Sequence, residues 1–488
     1  MEYKWKAFSV TSIGSLMAAI DGTIVLLALL PIAQDLSSSY VTIIWVVIAY
    51  LLATTALVLS FGRISDIYGR KRMYNVGFVI FTIGSALCGF AITGLDLVGF
   101  RALQGVGAAL LTANSFAILS EAFPPGERGR AFGSTAIVWG VGAALGIVLG
   151  GVIITFTTWR LIFWINIPIG IVGTIWAYRS LRESKSADSE GETFDLPAAI
   201  LFTGALTSLL VGVTWGLLYG WTIPGTLLAF ALVVPLFVAF VVWEIRYSKD
   251  PIVDFAFFRE RTFALATCAA MLQSIAIFSV NFLLVFYLEG IYGLSVLDAS
   301  LLILPNAVAV AVVGPFGGRL SDRVGNRRIA TIGLILQIGV LLAFSLLTTN
   351  TPIWLLAIAE AIFGVGGGLF WPASTSMIMS ASPRGRYGVG SGIMNTFRNT
   401  GMVLSFAVSL VAITTTLSSA VVYALFIGTF SGALAPAFAS EYLSGQSLAF
   451  LISAGLLIGA LVLMRLTRPH APSAAQRYEV PAAGPESL

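Results

Sequence analysis

Long apolar runs separated by short polar turns fill this chain from end to end. Each run approaches the roughly 20 residues that cross a hydrocarbon core as a helix, and none alternates apolar with polar residues as a barrel strand would. The pattern predicts an all-α polytopic membrane protein. Its spanning helices are expected at roughly 8–30, 41–61, 73–93, 95–119, 131–155, 161–181, 194–217, 223–243, 263–288, 299–317, 329–348, 353–380, 389–413 and 447–466. A fifteenth apolar stretch, 421–439, is interrupted by Gly428, Gly432 and Pro436, so 414–446 is expected to be an exterior helical or re-entrant loop. The first run, starting near Phe8, lacks a small-residue cleavage site and reads as a permanent helix.

Composition and charge sharpen this picture. The chain of 488 residues is 58% hydrophobic and only 10% charged, against about 25% charged in soluble domains. All but Arg101, Arg160 and Arg398 of its 27 Lys and Arg residues fall in alternate turns. The positive-inside rule assigns those turns, and both termini, to the cytoplasmic side of a cell membrane. The net charge of +4 is therefore topological and gives no sign of nucleic-acid binding. Cys88 and Cys268 lie inside apolar runs, which implies no disulfide framework. There is no Gly-rich loop ending in Gly-Lys-Ser/Thr and no His/Cys cluster with metal-ligand spacing. Neither an enzyme nor a bound cofactor is expected. The single His is His470, in the tail, so proton handling inside the membrane would fall to carboxylates.

One polar stretch appears twice. Gly62 to Arg72 (GRISDIYGRKR) recurs as Gly318 to Arg328 (GRLSDRVGNRR), an offset of 256 residues. Pro124, Gly129, Gly133 and Gly142 recur as Pro383, Gly388, Gly392 and Gly401, an offset of 259. The first six helices thus map onto the last six, leaving two in the middle. This divides the chain into an N-terminal six-helix bundle (1–182), a linker with two extra helices and an amphipathic cytoplasmic segment (183–262), a C-terminal six-helix bundle (263–468) and a disordered tail (469–488). Parallel repeats of this kind describe a secondary transporter.

These residues resemble the major facilitator superfamily and, within it, the fourteen-helix drug:proton antiporter family. Gly62 to Arg72 resembles its signature loop between helices two and three. Arg101, Gln104, Gly105 and Gly107 resemble the helix-four motif; Gly142, Gly146, Gly150 and Gly151 resemble the helix-five antiporter motif. Trp159, Arg160, Phe163, Asn166 and Pro168 resemble the entry to helix six, and Asp21, Thr23, Ala28 and Leu29 the helix-one motif. Ile147 stands where the antiporter motif carries Pro, and Leu26 where the helix-one motif carries Asn. The resemblance implies efflux of lipophilic or cationic small molecules coupled to protons. The expected partners are that substrate, protons and the lipid bilayer, with the protein acting as a monomer. The alternatives are an exporter of an endogenous metabolite or lipid without proton antiport, and a transport-dead sensor or scaffold.

Two groups of residues carry the functional expectations. At the cytoplasmic turns, Gly62 and Gly69 permit a tight approach, Asp66 is expected to cap the helix that follows, and Arg128 or Arg130 is its expected partner. Together with Arg70 and Asp322 these would form a latch for alternating access; a topogenic basic loop is the plainer reading. Within the membrane, a charge costs at least ~2.5–3.5 kcal/mol, so it usually lines a cavity and serves function. Asp21 and Arg101 both lie ~20 Å from the inner face, counted at 1.5 Å per residue, and are expected to pair. Glu360 is the repeat equivalent of Arg101, which predicts a polarised central cavity with Arg398 as counter-charge to Glu360. Asn281, a neutral residue near the position to which Asp21 maps, and Asn395 join them as candidates for proton or substrate binding, against the reading of static ion pairs. Gly142, Gly146 and Gly150 lie on one helix face suited to close packing. Trp139, Trp164, Phe278, Phe282, Phe370 and Trp371 are candidates for an aromatic lining.

Overall fold

The computed structural model describes residues 2–467 except 185–192, 254–255, 278–279, 295, 384–385 and 417–435. The elements are helices: α1 Tyr3–Asp35, α2 Tyr40–Tyr68, α3 Arg70–Gly89, α4 Gly94–Ala122, α5 Arg128–Phe156, α6 Leu161–Trp164, α7 Asn166–Ser180, α8 Leu196–Tyr219 and α9 Pro224–Arg246. They continue as α10 Ala256–Arg259, α11 Arg261–Ile277, α12 Val280–Gly290, α13 Val296–Val324, α14 Asn326–Phe344, α15 Ile353–Ala381, α16 Tyr387–Thr414 and α17 Pro436–Leu466. Among the described residues, eleven helices are long and apolar enough to cross a membrane. The expected spans at 73–93, 263–288 and 389–413 correspond to α3, α11 with α12, and α16, which are not among those eleven. Polar content explains two of them, since α3 opens on Arg70, Lys71 and Arg72 and α16 carries Asn395, Arg398 and Asn399, whereas α11 is apolar but only 17 residues long.

Local chemistry sets the helix ends. Ser39 accepts a hydrogen bond from Thr42 N to start α2, Asp195 accepts from Ala198 N to start α8, and Thr93 with Asp96 forms a reciprocal capping box at α4. Gly69 and Gly325 adopt φ +104° and +107°, a backbone state open to glycine and costly for other residues. Each breaks the chain sharply between two helices, which is why the repeated motif keeps a glycine there.

The helices pack as two sets joined along two seams. In the first set α1 lies on α4, α5 and α7, α2 on α4, and α3 on α4 and α7. In the second, α13 lies on α15, α14 on α15 and α17, and α11 on α16 and α17. The seams are α2 against α16 and α5 against α13. The hairpin α8–α9 packs on itself and touches both α2 and α16, with Thr203 Oγ1 donating to the Ala56 carbonyl at 3.3 Å. Val148, Val152, Leu228, Val234, Val308, Phe316 and Ile358 point outward, as hydrocarbon contact requires.

Two expectations change. The last helix begins at Pro436 rather than near 447, so part of the expected loop is helical, and 417–435 lies outside the described residues. The segment 244–261 is not an amphipathic surface helix. α9 ends at Arg246, and among the described residues only the short α10 is helical before α11 begins at Arg261, while Ile252, Val253 and Phe257 are buried, and Glu244 Oε1 accepts from the N–H groups of Ile252 and Val253. Those apolar side chains gain more from the core than from an interface. Most of the expected linker segment (185–192) and the whole of the expected tail (469–488) lie outside the described residues.

Candidate functional site

At the end of the molecule rich in Lys and Arg, here the basic end, the two motif copies make crossed contacts. Asp66 does not cap α3; it lies in the last turn of α2, and α3 starts at Gly69 without a side-chain cap. Its carboxylate reaches across the seam and accepts from the backbone N–H groups of Gly388 (3.0 Å) and Val389 (2.9 Å) at the start of α16. Asp322 does the same in the opposite sense, accepting from Gly129 N (3.1 Å) and Arg130 N (3.0 Å) at the start of α5. An acidic group at a helix N-terminus satisfies orphan N–H groups and meets the positive end of the helix dipole. The partner of each aspartate is therefore a helix end of the other set, and Arg128 and Arg130 do not pair with Asp66.

Backbones come close enough to allow this. A Cβ on Gly62 would collide with the Gly388 carbonyl, and one on Gly318 with the Gly129 carbonyl. Arg70 donates from Nε (3.1 Å) and Nη2 (2.8 Å) to Asp66 and from Nη1 to Glu121 (2.8 Å). Arg128 donates to the carbonyls of Ser120 and Phe123 and to the Tyr387 hydroxyl at 3.1 Å, and its guanidinium lies over that ring. Tyr387 also faces Arg70. It escaped the sequence reading, although the 259-residue offset makes it the repeat equivalent of Arg128. In the second copy Asn326 occupies the position of Arg70 and donates to Ser376 instead of Asp322.

A second polar cluster lies inside the first set of helices. Arg101 Nη1 donates to Asp21 Oδ2 at 2.6 Å, and Gln104 Nε2 donates to Asp21 Oδ1 at 2.9 Å. Asn166 donates to the same Oδ1 at 3.2 Å, Gln104 also donates to Ser85, and Arg101 Nε donates to the Val46 carbonyl. The Arg101 guanidinium lies 4.2 Å from the Tyr50 ring centre. Asp21 is fully buried. It is surrounded by residues of α2, α3, α4 and α7, so it belongs to the interior of the first set and not to the wall of a cavity shared with Glu360. Gln104, Asn166 and Ser85 were not predicted as site residues; Gln104, one helical turn from Arg101, carried the clearest signal.

The hydrogen bonds described for the second set do not form a comparable cluster. Glu360 on α15 is buried, with Asn306 of α13 as its polar neighbour, and neither carboxylate oxygen makes a well-formed hydrogen bond. Arg398 is not its counter-charge. The Arg398 guanidinium lies over the Trp371 indole, and Trp371 is eleven residues from Glu360 on the same helix, ~16 Å along the axis. Asn395 donates to Ser391 of its own helix. The side chain of Asn281 lies outside the described residues, as do those of Phe278 and Phe282. The remaining aromatic candidates do not assemble into one lining. Phe370 is a core residue, Trp164 packs on Phe90, and Trp139 is 45% exposed on α5. Gly142 and Gly146 seat α5 on α1, where a Cβ would press on Ala19 and Thr23 respectively, and Gly150 is buried one turn on. Among the described residues no group of three or more His, Cys, Asp or Glu side chains is placed to hold a metal ion.

Long apolar helices in two packed sets, with charged residues concentrated at one end, define a polytopic α-helical membrane protein. Residues 11–406 match the Major Facilitator Superfamily, and the chain belongs to that family of membrane transporters, not to an enzyme family. It is 33% identical over 411 residues to the riboflavin transporter RibZ of Clostridioides difficile (strain 630), covering 83% of this chain and 88% of that one. It is 32% identical over 400 residues to the multidrug resistance protein Stp of Mycobacterium tuberculosis (strain CDC 1551 / Oshkosh), covering 82% and 74%. The fold matches the proton:xylose symporter XylE with a TM-score of 0.65 at 14% identity, over 96% of this chain and 97% of that one.

Proposed function

We propose that this protein is a proton-coupled exporter of lipophilic or cationic small molecules. It works by alternating access between two six-helix bundles, with α8–α9 as an added pair between them. Fourteen crossings with both termini in the cytoplasm of a plasma-membrane protein make the basic end the cytoplasmic end. The observation that carries the reading is the pair of crossed caps, Asp66 on Gly388 and Val389, and Asp322 on Gly129 and Arg130. They join the halves by a few hydrogen bonds and glycine contacts, the kind of interface that can part and re-form. On this reading the cytoplasmic side is closed here, and Gly62, Asp66, Gly69, Arg70, Arg128 and Asp322 form the latch. Gly142, Gly146 and Gly150 keep α1 and α5 together as one moving body.

Proton coupling is assigned to Asp21 and Arg101. A neighbouring guanidinium favours the ionised carboxyl, and burial favours the neutral one. A conformational change that parts the 2.6 Å contact, and its reversal, are the steps to which proton uptake and release are assigned. Glu360 is assigned to cationic substrate or proton binding, with Asn281 and Asn395 as further polar candidates. The likeness to Stp supports a drug-type cargo, and the likeness to RibZ supports a second reading in which the cargo is a metabolite. Efflux of several dyes and of riboflavin from proteoliposomes under an imposed pH gradient tests both. Flux that ignores the gradient removes proton antiport, and riboflavin flux without dye flux selects the second reading.

A further inference from the structure

Among the described residues, no acidic side chain neutralises the charge of Arg398. It is 7% exposed, its Nη2 is buried without a hydrogen-bond partner, and its one described contact is the face of Trp371. It is the twelfth residue of α16 counted from the basic end, ~16 Å from that end and so near the middle of a ~30 Å core. The other described acidic residues of the second half cannot serve it. Glu260, Asp298 and Glu441 are exposed near helix ends, Asp322 is engaged at the gate, and Glu360 is ~16 Å away along α15. A cation–π contact offsets only part of the cost of a guanidinium held out of water. The repeat does not require the residue either, since its equivalent 259 positions earlier is Trp139.

We infer that Arg398 and Trp371 form a subsite for the anionic group of an aromatic, amphipathic cargo, the carboxylate meeting the guanidinium and the ring system stacking beside the indole. A planar guanidinium presents paired N–H donors that match a carboxylate, and an indole supplies a flat apolar face. The exporter then accepts acidic aromatic compounds as well as the lipophilic and cationic ones assigned above, through a subsite separate from Glu360. The inference rests on the efflux reading for its cargo, and the test separates the two.

The probes are rhodamine 110, a free carboxylate, and its methyl ester rhodamine 123. Binding to the purified full-length protein is read by fluorescence anisotropy and efflux by proteoliposome flux. Arg398→Gln is expected to weaken rhodamine 110 binding at least about tenfold, to leave rhodamine 123 within about twofold, and Arg398→Lys to recover part of the difference. Equal weakening for both dyes assigns Arg398 to structure and overturns the subsite, as does unchanged rhodamine 110 binding in the Gln variant. Wild-type protein that binds rhodamine 123 but not rhodamine 110 also overturns it. Absence of flux for both dyes, with the binding difference intact, overturns the efflux reading and leaves the subsite standing.

Discussion

Asp66→Asn isolates the cross-seam cap from everything else the motif does. The Arg70–Asp66 pair lies within one half, so parting of the two sets need not break it, and of the Asp66 contacts only the two hydrogen bonds from Gly388 and Val389 cross the seam. Asn keeps one acceptor oxygen and places an NH2 against the other N–H. One hydrogen bond to a charged acceptor is lost, ~1.5–3 kcal/mol, together with the carboxylate's interaction with the α16 N-terminus, ~0.3–1 kcal/mol. The closed state should lose roughly 2–4 kcal/mol, a shift of about 30-fold to 1,000-fold in the open-to-closed ratio at 1.4 kcal/mol per tenfold. Spin labels at Arg72 and Arg328, exposed at the basic end of the two halves, report this after Cys88 and Cys268 are replaced by Ala. Double electron–electron resonance should show a new, longer distance in Asp66→Asn and little of it in the parent. An unchanged distribution would refute the role of the cap in holding the gate.

Gly388→Ala should do the same more severely, because its Cβ meets both the Asp66 carboxylate and the Gly62 carbonyl; dye flux near zero with normal membrane insertion is the expected result. Asp322→Asn should shift the label distance less than Asp66→Asn, since Asp322 is less buried and its bonds compete with water. Arg101→Gln leaves a buried carboxylate without its cation, a loss of ~3–5 kcal/mol. The thermal midpoint in detergent should fall further than in the Asp21→Asn/Arg101→Gln double variant, and equal midpoints would count against the pair. At the opposite end, the Arg160 hydrogen bond, helped by Trp159, holds the Asp35 carboxyl below its usual range. That contribution is present above the ordinary Asp pKa near ~3.9 and is lost as pH falls through the depressed value. The midpoint difference between wild type and Arg160→Gln should therefore be steady at neutral pH and close on strong acidification.

Counting residues from helix ends located what depends on depth alone. Asp21 and Arg101 sit at one level of the membrane, and they touch. Glu360 and Arg398 were expected to pair, yet Arg398 faces Trp371, about three turns along α15 from Glu360, a difference in depth not counted from the helix ends for this pair. The true partners of Asp66 and Asp322 were hidden for another reason. They are backbone N–H groups, which every helix start offers and no residue letter marks. Only the repeat arithmetic pointed there, because Gly129 and Gly388 are equivalent positions and each receives the aspartate of the other half.

That exchange has a consequence for how the protein arose. A patch containing Gly62 and Asp66 meets a patch containing Gly388, and its copy at Gly318 and Asp322 meets Gly129. This is the rule of an isologous interface, in which surface A meets B and B meets A about a two-fold axis. A single ancestral half could have closed on a second copy of itself through the same contact, before the two genes were joined. Once joined, the two clasps were free to drift apart. Asn326 in place of an arginine tells the two clasps apart, since Arg70 pairs with Asp66 whereas Asn326 donates to Ser376 and leaves Asp322 without an equivalent partner on its own helix pair.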